Sequence, residues 1–154
     1  MDALPVLNRW VRRMLVGMAL GWMLVFGIAL WLNPYDEDGR PRRMETHLQL
    51  GLPPCTFRLM TGVPCPSCGM TTSFALLVRG DVWNSLRANS VGTLLAALGM
   101  LLIPWGLACA ICGRILFVRS VERTVTIGVL VFVGLMLLRW AIVLAVGWRT
   151  GSSF

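Results

Sequence analysis

Three long stretches of this chain carry almost no charge, and polar connections separate them. The first, residues 14–32, reads MLVGMALGWMLVFGIALWL. At about 1.5 Å per residue it nearly crosses a hydrocarbon core of about 30 Å. A signal peptide has an apolar region of only about 7–15 residues and a small-residue cleavage site. After Ala29 the chain runs Leu30-Trp31-Leu32-Asn33-Pro34 instead. The pattern predicts an uncleaved transmembrane helix, stopped by Asn33 and Pro34. The second uncharged stretch lies between Arg87 and Arg114 and predicts a span over 88–113. Within it Gly92, Gly99, Gly106 and Gly113 recur every seven residues, which sets them along one seam of a helix. Small residues on a seam let another helix approach closely in lipid. They predict a homo-oligomer or a membrane-protein partner there, and Pro104 predicts a kink. The third span, 124–148, is interrupted by Arg139 and carries small residues at Gly128, Gly134, Ala141 and Gly147.

The connections are less regular. Asp36, Glu37, Asp38, Gly39 and Pro41 mark a turn-rich loop within 33–54. Residues 68–79 read as a helix too short to span a bilayer, placed at the interface or as a re-entrant turn against protein. Gly80 can end that helix in the left-handed conformation, and Asp81 can cap the next. The fold expected is therefore all-α: one membrane domain over 1–154, three transmembrane helices, and a cysteine-bearing loop with a short helix over about 50–80.

Composition agrees. The chain has 154 residues, 56% hydrophobic and 14% charged, against about 25% charged in average soluble domains. That excludes an ordinary cytosolic enzyme, a disordered tail and a disulfide-stapled secreted mini-protein, and makes the lipid bilayer the first partner. The net charge of +7 comes from 14 basic and 7 acidic residues, and every basic residue is Arg. No stripe of Arg interleaved with aromatics appears, which argues against nucleic acid. Arg9, Arg12 and Arg13 precede the first span, and Arg114, Arg119 and Arg123 lie between the second and third. They place the N-terminus in the cytoplasm, and the 33–87 loop and the C-terminal end, with Arg149, outside. Trp10, Trp31, Trp83 and Trp148 fall near span ends as interfacial anchors, whereas Trp22, Trp105 and Trp140 read as packing.

The candidate chemistry is a cysteine cluster. Cys55 follows two prolines, and Thr61-Gly62-Val63-Pro64-Cys65-Pro66-Ser67-Cys68-Gly69-Met70-Thr71 follows soon after. Two thiolates three positions apart can point at one ion, and thiolates suit zinc or iron. Cys55 offers a third ligand and His47 a fourth. A disulfide between Cys55 and Cys65 or Cys68 is an alternative. So is redox chemistry at Cys65 and Cys68, with the first thiol acidified at a helix start. Cys109 and Cys112 lie on the second span, where three-residue spacing is strained for a bridge, and read as packing. Arg139 is a charge within a span, which snorkels or pairs with a buried acceptor. Asp81, expected on the same membrane face, is one such acceptor, and the thiolates are another.

Cys55, Thr61-Gly62-x-Pro64-Cys65-Pro66-x-Cys68-Gly69-x-Thr71, Gly80-Asp81 and Asn89 together resemble a family of small bacterial membrane proteins, the domain of unknown function 2752. The likeness covers roughly residues 50–100. The chain departs from it at Thr72, where the family typically has Arg, and at Ser90, where Pro commonly follows the Asn. The resemblance implies residence in a bacterial inner membrane and the cysteine motif, with no established activity. The function expected is a non-enzymatic structural or interaction module organised by Cys55, Cys65 and Cys68, with His47, around a metal such as zinc. The alternatives are a membrane thiol–disulfide oxidoreductase and an accessory subunit of a transporter in which Arg139 and Asp81 line a polar path.

Overall fold

A computed structural model describes residues 7–116 and 120–150, with backbone alone at 149 and 150. The lead before Leu7, Arg119, the Arg149 side chain and the tail after Thr150 lie outside the described residues. Five α-helices follow in order: α1 Arg9–Trp31, α2 Thr56–Thr61, α3 Met70–Leu77, α4 Val82–Cys112 and α5 Val121–Thr150. A 3-10 turn, Thr46–Leu50, precedes α2. No strand forms among the described residues; Tyr35 and Pro41 make one isolated bridge across the Asp36–Arg40 turn. Helices α1, α4 and α5 are long and apolar enough to span a membrane. The three predicted spans lie inside them to within a residue at each end, and the extra turns extend α1 back to Arg9 and α4 back to Val82.

Each helix boundary has a local cause. Leu32 takes an extended conformation at the end of α1, ahead of Pro34. The last carbonyls of α1 do not go unmet: Arg79 donates to Ala29 O at 3.0 Å and Leu30 O at 2.7 Å. This is a cationic side chain closing a helix C-terminus. Gly80, at φ 80°, turns α3 back on α4, and the Asp81 carboxylate accepts from the Asn84 amide at 3.2 Å. The Gly80-Asp81 joint is the helix-break-helix predicted. Pro104 lies inside α4 as predicted, and a separate break occurs nearer its start. Within α4 the non-helical dihedrals are at Asn89, φ −157° and ψ 104°. There the Asn89 Oδ1 accepts from the Gly92 amide at 3.0 Å, as an N-cap does three residues before its donor. Helix α4 is thus two helices joined at a capped corner.

The glycine seam also has a different use from the one predicted. Gly92 faces Ser73 and Met70 of α3, Gly99 lies against the Trp22 indole, and Gly106 faces Met18. Gly113 instead closes α4 at φ 66°. The seam is filled by α1 and α3 of the same chain, so it is not an open surface for an oligomer or another protein. Trp22, Phe26 and Phe74 stack at centroid separations of 5.8–6.4 Å beside it. A Cβ at Gly99 would stand 2.5 Å from the indole. Gly99→Val is therefore expected to lower stability by roughly 1–3 kcal/mol, the usual cost of overpacking. Thermal unfolding in detergent checks it, with Gly128→Val as the neutral control because nothing lies within 4 Å of Gly128.

Helix α5 touches the rest at few points. Arg139 donates to Ala88 O at 2.9 Å, Trp140 donates to Pro64 O at 2.8 Å, and the Trp140 ring meets Phe57 edge-on. Most of its other apolar side chains, Leu130 and Leu138 among them, are exposed, as are Leu24 on α1 and Leu101 on α4. Such continuous apolar surface belongs in lipid rather than water. The fold is that of a multi-pass membrane protein, with exposed Trp10 at one end and exposed Trp31, Trp83 and Trp148 at the other. Because α5 meets the start of α4, the 33–81 connection and the end of α5 share the second end.

Candidate functional site

Two separate pieces of backbone bring the three cysteines together. Cys55 stands at the N-terminus of α2, a helix the sequence pattern did not reveal because it is barely more than one turn. Its placement comes from an ion pair: Arg58 on α2 reaches Glu45 beside the 3-10 turn at 2.6 Å. Gly62, at φ 71°, ends α2 and sends the chain to Pro64, whose carbonyl is held by Trp140. Cys65 through Cys68 form a tight turn, with the Cys68 amide bonded to Cys65 O at 3.0 Å. Gly69, at φ 83°, then enters α3. A side chain there would meet the carbonyl oxygens of Ala88 and Arg43 at 2.7 and 2.8 Å, so only glycine lets the turn lie against α4. The fully buried Asn89 side chain completes the clamp by donating to Cys68 O at 3.1 Å.

The Sγ atoms of Cys55, Cys65 and Cys68 all lie within 4.8 Å of one another. Cys65 and Cys68 are closest, at 3.1 Å, and the Cys65 amide donates to the Cys68 sulfur at 3.2 Å. Ser67 Oγ lies 3.3 Å from the Cys65 sulfur. The two thiols respond oppositely. Partial burial opposes ionisation of Cys65, but hydrogen bonds from Ser67, Cys68 and Cys55 outweigh it and hold its pKa below the ordinary thiol value. Burial, together with the neighbouring Cys65, pushes Cys68 up to about 12. Within this close pair Cys65 is thus the thiol that ionises first.

The other predicted residues divide. His47 lines the same cavity of about 340 Å³ as the three cysteines, yet stands outside the ligand group. Arg139 comes to the cysteine turn and lines a second cavity with Cys65 and Cys68. Asp81 does not meet Arg139. Its carboxylate takes the Asn84 side chain at 2.8 and 3.0 Å and the Tyr35 hydroxyl at 3.2 Å. The proposed Asp81–Arg139 pair is therefore replaced by a cap and a loop anchor, because Asp81 belongs to the hairpin corner and Arg139 to the turn at its other end. The Asn84 bonds lower the Asp81 pKa against a smaller opposing effect of burial, with Tyr35 helping. A depressed carboxylate contributes stability above its unfolded value of about 3.9 and loses it as pH falls through the folded value. Asp81→Asn should flatten the acid limb of a stability-versus-pH curve below about pH 4, measured by unfolding in detergent.

Cys109 and Cys112 part company as packing residues do. Cys109 is buried, with its sulfur accepting from the Leu116 amide at 3.3 Å, and Cys112 is exposed. Thr72, which stands where the resembled family carries Arg, is buried and shares a 2.7 Å hydrogen bond with Thr46. It ties the 3-10 turn to α3. Thr46 and Arg58 escaped the sequence reading and Trp140 was read only as packing, since each acts on a residue distant in the chain; the capping role of Asn89 also escaped, although Gly92 is only three residues away. Only the Asn in the resembled motif offered a signal.

Residues 55–103 match the model of a family described as a protein of unknown function (DUF2752). That segment holds all three clustered cysteines, the α3–α4 corner and Asn89, while α1 and α5 fall outside it. No curated protein and no solved structure matches the chain.

Proposed function

We propose that this is a non-enzymatic membrane module in which Cys55, Cys65 and Cys68 hold one thiophilic cation, zinc first among the candidates. The observation that carries the proposal is the convergence of three thiols from two loop segments within 4.8 Å. Three thiolates around one zinc at about 2.3 Å stand about 3.8 Å apart in tetrahedral geometry. The sulfurs here span that distance, from 3.1 Å to less than 4.8 Å. The fourth position falls to water or, after a side-chain movement, to His47 from the shared cavity. Three thiolates and a divalent cation leave one negative charge, and Arg139 beside Cys68 offsets it where the dielectric is low. The ion would fix α2 to the turn before α3, a task for which the 6-residue α2 has little packing of its own. The family resemblance supports a bacterial inner membrane, and the arginine pattern supports a cytoplasmic N-terminus, which puts the cysteines towards the outer face.

Elemental mass spectrometry on protein purified in detergent without chelator tests the reading. About one zinc per chain is expected, released by a strong chelator with loss of thermal stability. Absence of thiophilic metal would overturn it. The opposed thiols at 3.1 Å favour one rival, a thiol–disulfide exchanger attacking through Cys65. That rival predicts metal-free protein in which Cys65 is alkylated before Cys68.

A further inference from the structure

We infer that the cavity between α4 and α5 seats the phosphate of an anionic membrane lipid. The cavity holds about 520 Å³. Arg43 from the loop, Arg87 from α4 and Arg139 from α5 line it, and no lining residue is acidic. Among the described residues the ion pairs join Arg42 to Asp36 and Arg58 to Glu45, so none neutralises these three. Arg87 rests over the Trp83 ring at 4.9 Å. Arg139 spends one N–H on Ala88 O, out of the five a guanidinium offers. A charge inside a span is costly unless something answers it. Three arginines lining one cavity without a carboxylate call for a multiply accepting anion, and phosphate matches the fork of Arg.

The remaining wall says which phosphate. Ile142, Val143 and Val146 of α5 line the cavity, and Ile142 and Val146 are more than half exposed. An acyl chain can lie along them, whereas free phosphate gains nothing from them. The depth also fits. Arg87 lies four residues, about 6 Å, inward of Trp83, and Arg139 nine residues, about 13 Å, inward of Trp148. A headgroup phosphate at the tryptophan level meets Arg87 and Arg43, with Arg139 reaching up to it. The inference shares Arg139 with the metal reading, because Cys65 and Cys68 line the same cavity, so Arg43 and Arg87, which have no part in that reading, carry the test.

The test uses full-length protein in dodecyl maltoside with three probes: dioleoylphosphatidylglycerol, dioleoylphosphatidylcholine and inorganic phosphate. Phosphatidylglycerol is expected to raise the melting temperature and to survive on the protein in native mass spectrometry, and the other two are not. Arg43→Gln/Arg87→Gln should weaken phosphatidylglycerol binding by about fivefold per arginine removed. Both side chains are exposed and the variant gives up only the Arg87–Trp83 ring contact, so its melting temperature without lipid should stay close to wild type. Arg139→Gln, which also loses the Ala88 bond, is the second variant and should weaken binding too. Equal stabilisation by phosphatidylcholine would overturn the inference, as would an equal shift with inorganic phosphate. Undiminished phosphatidylglycerol binding in the double variant would overturn it as well.

Discussion

On the proposed metal site, Cys65→Ser is expected to abolish metal retention, with affinity falling by more than about 100-fold. Even an outer partner of a metal ligand is worth about 10–100-fold, and in the proposed site Cys65 is a direct ligand whose thiol is held below its ordinary pKa. Serine keeps the shape of the turn but presents a hydroxyl that does not ionise near neutral pH and binds soft metals poorly. Cys55→Ser and Cys68→Ser should behave alike, since all three sulfurs share the site. Cys109→Ser and Cys112→Ser should keep a full complement, because both residues lie at the opposite end of α4. Metal per chain across this series, with melting temperature alongside, separates the readings. A metal module loses ion and stability together at Cys55, Cys65 and Cys68. Retention of the ion in Cys65→Ser would overturn the assignment.

Gly69→Ala should cost roughly 2–5 kcal/mol of stability and loosen the cysteine group with it. The left-handed conformation alone costs a non-glycine residue about 1–2 kcal/mol. Displacing packed neighbours adds about 1–3 kcal/mol. Here the neighbours are the backbone carbonyls of Ala88 and Arg43, which have no rotamer to change. To admit the methyl group the turn must lift off α4, and the Asn89 bond to Cys68 O breaks as it does. Unfolding in detergent measures the first effect and metal content the second. Gly62→Ala is the control: it shares the positive φ but has nothing within 4 Å. It should show only the conformational cost, and an equal loss in both variants would refute the steric argument.

The sequence alone determined where the membrane helices run, because a helix in lipid needs an uninterrupted apolar length and little else. It determined the joint at Gly80-Asp81 and the end of α1 at Asn33-Pro34, since those signals are local. It singled out Cys55, Cys65 and Cys68, because spacing and residue type suffice to mark candidate ligands. Tertiary structure decided what each distant residue meets. The seven-residue glycine repeat is the same in sequence whether a partner or the chain itself fills it, and here Trp22, Met70 and Met18 do. Arg139 was recognisable as a costly charge, but its acceptor is Ala88 O rather than Asp81. Helix α2 was invisible because its 6 residues are fixed by Arg58–Glu45 and by docking against Trp140, not by periodicity. A pattern in the chain records the demands of the solvent, water or lipid, on each segment; which segments then touch is set by a summed packing energy that no single segment carries.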